Sequence, residues 1–316
     1  MFFFLEEISV TDVAKKELKR WGEPFKDKRG WPEYNAQLVK RGEFLLELGF
    51  VKRWDKELAE MNKNKVGQPY KFPNSLIRFQ GVLHAKKIDY RGIKGITIKL
   101  VEIASLPAYN DYCTINRRVN KLGVKLGSPQ GNNLVLFNDG SGFQAIAGGE
   151  YMREKYGKKN RVWVQIIILG DKEHKEPVSF EVNIVHESEA DSTKRQVEKL
   201  LEGGIKIKAV GGDGSMDEMG LWDCLQQHKI RPIIKPDKNA REDSENELRN
   251  KVVKERNELG YKDWAKKNKY GFRWVATEGI FSAIKRIFGE QLAAKTEIGL
   301  IQEAKIKIWA YQAIKR

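Results

Sequence analysis

The chain has 316 residues, 41% of them hydrophobic and 10% aromatic, which is enough to bury cores for two domains of ordinary size and excludes a small scaffold held by disulfides or metals. Charged residues make up 32%, and the net charge of +15 is uneven: residues 1–130 hold 25 Lys and Arg against 15 Asp and Glu. Such an excess favours contact with a phosphate backbone, although a Lys-rich, thermophile-like surface gives the same totals.

The two cysteines, Cys113 and Cys224, and the four histidines, His84, His174, His186 and His228, have no zinc-ligand spacing. Both thiols are expected to be buried and reduced, as in an intracellular protein. The apolar run Phe2 to Leu5 meets Glu6 and Glu7 at once, so it lacks the basic flank and length of a signal peptide or membrane span. A soluble protein without membrane contact is expected, in the cytoplasm.

In chain order, residues 10–62 carry helical apolar spacing, broken at Gly22-Glu23-Pro24 and Gly30-Trp31-Pro32, with Leu38, Leu45, Leu46 and Leu58 as expected core positions. The polar stretch Asn62 to Pro73 reads as a connection. Three helical segments follow: Asn74 to Lys86 with an Asn cap, Tyr90 to Ile103, and Asp111 to Leu122 after the breaker Pro107. They have helix-turn-helix character. Arg117, Arg118 and Lys121 fall within about one turn of the last, where a recognition helix presents side chains to a major groove, and where a solvated basic face is the plainer alternative.

From Asn133 short β-rich runs appear: Leu134 to Asn138, Phe143 to Ala147, Arg161 to Leu169, Pro177 to Ile184, Ile205 to Val210 and Arg231 to Ile234. Helical spacing over Asp191 to Leu201 and Met216 to Gln227 falls between the later ones. Strands first and α/β alternation second suit an α/β fold of the ribonuclease-H-like kind, a mixed sheet flanked by helices. Ala240 to Asn268 reads as a charged helix, and Tyr270 to Gly289 as a last amphipathic helix with a Gly stop. Trp222, Trp264 and Trp274, at helical positions, are expected in the core.

Asp139 closely follows the apolar run Leu134-Val135-Leu136-Phe137, where a strand opens, and Asp213 lies just beyond Ile205 to Val210. If those strands are parallel neighbours, both carboxylates reach one sheet edge. Glu278, in the final helix, can join them from the side. Three hard oxygen ligands suit Mg²⁺ or Mn²⁺, and two such ions about 3.5–4 Å apart serve in-line attack on a phosphodiester. Spacing alone does not establish this, since an Asp after a strand is commonly a cap or turn former. Asp217 reads more simply as a helix N-terminal residue.

At these residues the sequence resembles the DDE-class insertion-sequence transposases, specifically the family named after insertion sequence five. The resemblance runs nearly end to end. Trp31-Pro32-Glu33-Tyr34-Asn35 with Leu38-Val39-Lys40-Arg41-Gly42 resembles that family's opening motif, and Pro107-Ala108-Tyr109 with Thr114-Ile115-Asn116-Arg117-Arg118 its pre-catalytic helix. Asp139-Gly140-Ser141-Gly142-Phe143 resembles the first Asp motif and Asp213-Gly214-Ser215-Met216-Asp217 the second. Pro232-Ile233-Ile234-Lys235-Pro236 with Lys238-Asn239-Ala240 resembles the strand and turn that follow. Tyr270, Arg273, Glu278 and Lys285 resemble the Tyr-Arg-Glu-Lys signature around the catalytic Glu.

The resemblance implies a ribonuclease-H-like catalytic domain over residues 131–316, with a charged helical insertion near 240–268, preceded over residues 1–130 by an all-α DNA-binding region. It implies that Asp139, Asp213 and Glu278 hold two Mg²⁺ or Mn²⁺ ions and that Tyr270, Arg273 and Lys285 contact phosphates. The partners implied are terminal inverted repeats and target DNA, bound by a homodimer or higher multimer associated with the nucleoid. The expected activity is strand cleavage and strand transfer; the rivals are a silent DNA-binding derivative and a nuclease that never joins. One departure stands out, because four residues instead of three separate Arg273 from Glu278. In a continuous helix that spacing leaves the two side chains roughly 140° apart. Thr277 is therefore expected to cap a helix starting at Glu278, with Arg273 in an extended segment before it.

Overall fold

The computed structural model describes residues 19–20, 23–24, 30–146, 163–237 and 239–316. The Phe2 to Leu5 run, the helical spacing over residues 10–18, Ala147 and residues 161–162 at expected strand ends, and Lys238 lie outside the described residues.

Two compact units divide the chain, residues 1–42 and 43–316. In the first, β1 (Lys19–Arg20), where helical spacing was expected, pairs antiparallel with β2 (Glu23–Pro24) at the expected break. Helix α1 (Trp31–Leu45) starts after Gly30 and carries Pro32 in its first turn, where a missing N–H costs no helical bond.

The second unit opens with four helices, α2 (Trp54–Asn62), α3 (Asn74–Ala85), α4 (Tyr90–Ala104) and α5 (Tyr112–Asn120). Asp89 caps α4 through the amides of Arg91 and Gly92, and Asp111 caps α5 through that of Cys113. Asn74 does not cap α3; it is the first helical residue, behind Pro73, and its amide oxygen accepts from Arg118. One apolar core runs from Phe50 and Trp54 through Ile77, Ile93 and Ile115 of these helices to Phe143 and Ile166 of the sheet. Leu38, Leu45 and Leu58 are half-buried, but Leu46, expected in the core, is 70% exposed. Cys224 is buried, whereas Cys113 is exposed on α5, contrary to expectation.

The sheet is built from β3 (Leu134–Ala145), β4 (Trp163–Asp171), β5 (Pro177–Asn183), β6 (Ile207–Gly212) and β7 (Arg231–Ile234), in the order β5-β4-β3-β6-β7. β3, β4 and β5 pair antiparallel; β3, β6 and β7 pair parallel. The parallel strands are reached through α6 (Glu189–Glu202) and α7 (Met219–Gln227). A three-strand meander followed by helix-connected parallel strands is the ribonuclease-H-like α/β fold that the strand order predicts. Ala190, Val197, Leu221 and Trp222 of α6 and α7 pack with Leu136 in one cluster. In another, Phe143, Ile166 and Ile168 meet the last helices.

Two expected strands, Leu134 to Asn138 and Phe143 to Ala147, are one. Gly140 and Gly142 do not break β3, because its ladder with β4 continues from Leu136–Asp171 to Gln144–Trp163. A Cβ at Gly142 would stand 2.8 Å from the Trp163 ring, so the glycine admits that indole.

Helix α8 (Glu247–Lys267) forms within the charged segment and breaks at Gly260, whose φ of 70° is open to glycine. The expected last helix is two: α9 (Phe272–Ala276) and α10 (Glu278–Phe288), the latter stopped at Gly289 with φ 76°. Nor is it last. β8 (Gln291–Leu292) pairs with the far end of β3, and α11 (Glu297–Lys315) follows, so packed on all sides that it shows no single apolar stripe. Among the described residues no helix is long and apolar enough to cross a membrane.

Candidate active site

β3 and β6 are parallel neighbours, paired as far as Phe137 with Gly211. Asp139 and Asp213 each lie two residues beyond that pair, so strand register alone brings them level at the point where β6 leaves β3. Asp139 does not end its strand, as expected, but sits within it, paired with Ile168 of β4 on the other side. The opening is made by its neighbour's departure. Asp213 stands at the turn after β6, where its carboxylate accepts from the Ser215 amide at 3.0 Å and hydroxyl at 2.5 Å.

Glu278 arrives from the helical side. It is the first residue of α10, and the break before it lies at Thr277, fully buried, whose hydroxyl donates to the Arg273 carbonyl at 2.9 Å. Thr277 thus marks the helix start, as expected, although its side chain makes no capping bond to α10. Arg273 is not extended; it lies in the short helix α9, set off from α10 by the break. Its guanidinium stands 3.7 Å from Asp139 Oδ1 and 3.4 Å from Glu278 Oε1. The break resolves the spacing that one continuous helix could not.

Burial pushes the Asp139 carboxyl up to about 6; Arg273 opposes the shift, while Glu189, Glu278 and Asp213 add to it. Burial also raises Glu189, which faces Asp213. Tyr270 is packed against Trp264 and Tyr261, and burial pushes its hydroxyl up to about 12. The Arg273 guanidinium lies 5.9 Å from the Tyr270 ring centre. A cavity of about 520 Å³ is lined by Asp139, Gly140, Glu278, Ser282, Lys285 and Arg286. Lys285 also lies over the Phe143 ring. Carboxylates and cations therefore share one cavity, which suits a phosphate bridged to a cation.

Among the described residues no three His, Cys, Asp or Glu side chains are gathered closely enough to enclose a metal ion as they stand. The Arg273 guanidinium instead holds positive charge between Asp139 and Glu278. The donor set, all carboxylate oxygen, fits a hard divalent cation.

Sequence reading missed Glu189, Arg286 and Gly170. Glu189 looks like any first-turn acid, yet its carboxylate meets the Ser215 hydroxyl at 2.9 Å beside Asp213. Asp217 is away from this group: its carboxylate takes two bonds from Arg249 and one from Trp222, tying α7 to α8. Trp222 and Trp264 are buried as expected, but Trp274 is 50% exposed.

The other predicted residues lie apart. Arg117, Arg118 and Lys121 line a second cavity, of about 680 Å³, with Gln68, Tyr70 and Lys71. Arg118 is turned inward, donating to the Phe72 carbonyl and Asn74 and standing 4.5 Å over the Tyr70 ring. Arg117 is exposed.

The fold and this constellation define a carboxylate site on a ribonuclease-H-like sheet. A family model described as the transposase DDE domain matches residues 130–312, and another of the same description matches residues 39–147. The chain belongs to the transposase DDE-domain family. Among solved structures it is similar to the Drosophila P element transposase strand transfer complex, at 17% identity over 61% of this chain and 47% of that one, with a TM-score of 0.30. It is also similar to the piggyBac transposase synaptic complex with hairpin DNA, at 11% identity over 88% of this chain and 74% of that one, with a TM-score of 0.38. The chain thus spans about half the length of the P element protein it matches.

Proposed function

We propose that this chain is a DNA transposase of the insertion-sequence-five kind, which binds terminal inverted repeats and catalyses metal-dependent strand cleavage and strand transfer. The observation that carries the reading is the meeting of Asp139 and Glu278 on one guanidinium, with Asp213 level with Asp139 across the parallel strands. Asp139, Asp213 and Glu278 would hold two Mg²⁺ or Mn²⁺ ions. When bound, these supply an activated water or 3′-hydroxyl and stabilise the leaving oxygen of an in-line displacement.

The chain's own residues bind and orient. Lys285, two turns after Glu278, faces the carboxylate cavity with Arg286 and offers charge to the phosphate. Arg273 balances the charge of Asp139 and Glu278, with the Tyr270 ring 5.9 Å away, and Tyr270, Arg273 and Lys285 would contact phosphates beside the scissile bond. The helices before residue 130, with Arg117 and Lys121 at the second cavity, supply DNA contact, and the active form on DNA is a homodimer or higher multimer.

The test is nicking and joining of a labelled duplex carrying the inverted repeat that flanks the gene, with Mg²⁺ or Mn²⁺. Asp139→Ala, Asp213→Ala and Glu278→Ala should each abolish both while leaving binding to the duplex. Cleavage that survives any of the three, or survives chelation, refutes the assignment.

A further inference from the structure

We propose that Lys235 binds a backbone phosphate of the DNA strand that crosses the carboxylates, on the Asp213 side of the site, an inference that rests on the transposase reading above. β7 pairs parallel with β6 up to Ile234 with Gly212, and the Lys235 amide still donates to the Gly212 carbonyl at 3.3 Å, so Lys235 is level with Asp213. Asp213 is in turn level with Asp139. The three residues therefore make one row across β3, β6 and β7, at the roughly 5 Å spacing of neighbouring strands. Each lies two positions beyond a member of the row Phe137, Gly211 and Ile233, and side chains two apart along a strand share a face. That face is the one covered by Trp264, Tyr270 and Ala276.

The contacts of the side chain agree with this placement. The Lys235 ammonium lies 5.6 Å from the centre of the Tyr261 ring, Tyr261 packs edge-on against Tyr270, and Arg273 stands 5.9 Å from the Tyr270 ring centre. Cations and rings thus alternate from Arg273 to the end of β7. The two cations differ in one respect: Arg273 is engaged by Asp139 and Glu278, whereas among the described residues no carboxylate forms an ion pair with Lys235. Lys285 stands over Phe143, four residues beyond Asp139 along β3, so positive charge flanks the carboxylate row in two directions. A half-buried ammonium held over a ring without an anion, beside carboxylates that a DNA strand must cross, is suited to a phosphate.

The test is binding and nicking of the inverted-repeat duplex by the full chain carrying Lys235→Met, which keeps the carbon chain over Tyr261 and removes the charge. Affinity should fall about tenfold. The slope of log affinity against log salt should become shallower by about one. Lys229→Met, at an exposed lysine before the other end of β7, loses the same net charge and should change neither. Replacing single phosphates of the cleaved strand by methylphosphonate places the contact: at one position near the scissile bond the neutral linkage should slow nicking by wild type but slow Lys235→Met no further. An unchanged salt slope in Lys235→Met, or losses that multiply at every phosphate, overturns the inference, and a lowered melting temperature alone then means that the lysine only packs. Should Lys235→Met not fold, Lys235→Gln is read in the same way. If Asp139→Ala abolishes nicking while Lys235→Met keeps the wild-type salt dependence, this inference alone fails. If the wild-type chain neither binds nor nicks the duplex, the transposase reading fails and this inference with it.

Discussion

Gly170 of β4 faces the carbonyl of Ala276 so closely that a Cβ on residue 170 would stand 1.8 Å from that oxygen and 3.0 Å from Ile280 Cδ1. The junction of α9 and α10 therefore rests directly on the sheet, and this contact sets where Glu278 meets Asp139. Gly170→Ala must push the junction away. The expected cost is about 1–3 kcal/mol, typical of overpacking, measured by urea denaturation. Metal-dependent nicking should fall much further than the lost stability explains, since Glu278 moves with the junction.

Asp139 gives a pH prediction whose sign is fixed. Its folded carboxyl is raised from 3.8 to about 6, so ionising it opposes folding: the favourable contribution is full below about pH 4 and is lost as pH rises through 6. Without metal, Asp139→Asn should be more stable than wild type at pH 7.5, by on the order of 2–3 kcal/mol for a side chain 16% exposed, and the gap should close below pH 4. Melting curves of both proteins from pH 3.5 to 8 in chelator check it. A constant gap across that range excludes Asp139 as its source.

Much of this was legible in advance, for physical reasons that individual residues show. Asp213 could be placed because an apolar run that stops at a polar Gly-rich turn ends a strand, and parallel pairing with β3 then did the rest. The continuity of β3 was not legible: Gly140 and Gly142 fall between the two expected strands, and only the Trp163 and Glu189 side chains against them show why they are there. α11 escaped because Gln302, Glu303, Lys307 and Gln312 are buried alongside its apolar residues, which erases the polar face. Glu189 escaped because its partner, Ser215, is 26 residues away.

Lys307 is fully buried on α11, 3.4 Å from Glu303, and donates to the carbonyls of Gly289 and Gln291. Glu303 in turn accepts from the amides of Ala293 and Ala294. The pair fastens β8 and its turns beneath α11, so Lys307→Met should cost about 3–5 kcal/mol by leaving Glu303 buried without its cation. Thermal denaturation measures this directly. A loss under about 1 kcal/mol means that the lysine contributes little beyond its carbon chain.

Arg117, Arg118 and Lys121 should separate into two kinds. Arg118 spends its guanidinium on Phe72, Asn74 and the Tyr70 ring, so Arg118→Ala should lower the melting temperature as well as any DNA affinity. Arg117→Ala and Lys121→Ala should leave stability within about 0.5 kcal/mol and weaken duplex binding, with a shallower salt dependence than wild type. Filter binding at two or more salt concentrations, beside melting curves, tells these apart. Unchanged affinity in both Arg117→Ala and Lys121→Ala moves the DNA contact elsewhere.

The residues of α9 give the last prediction, because neighbours in sequence have opposite surroundings. Arg273 is 19% exposed and joins Asp139 to Glu278, whereas Trp274 is 50% exposed. Trp274→Ala should therefore change stability by less than about 1 kcal/mol, not unfold the protein as a core tryptophan would. Arg273→Ala removes the cation that opposes the upward shift of Asp139, so the carboxyl rises further above 6 in the variant. Protons and metal compete for the same oxygens, and the residual metal-dependent nicking should need a higher pH than wild type to reach half its maximum. Arg273→Lys keeps the charge but cannot fork between two carboxylates, so its pH profile should lie between the other two. A profile that keeps the wild-type midpoint in Arg273→Ala, at any level of activity, shows that Arg273 does not set the charge state of Asp139.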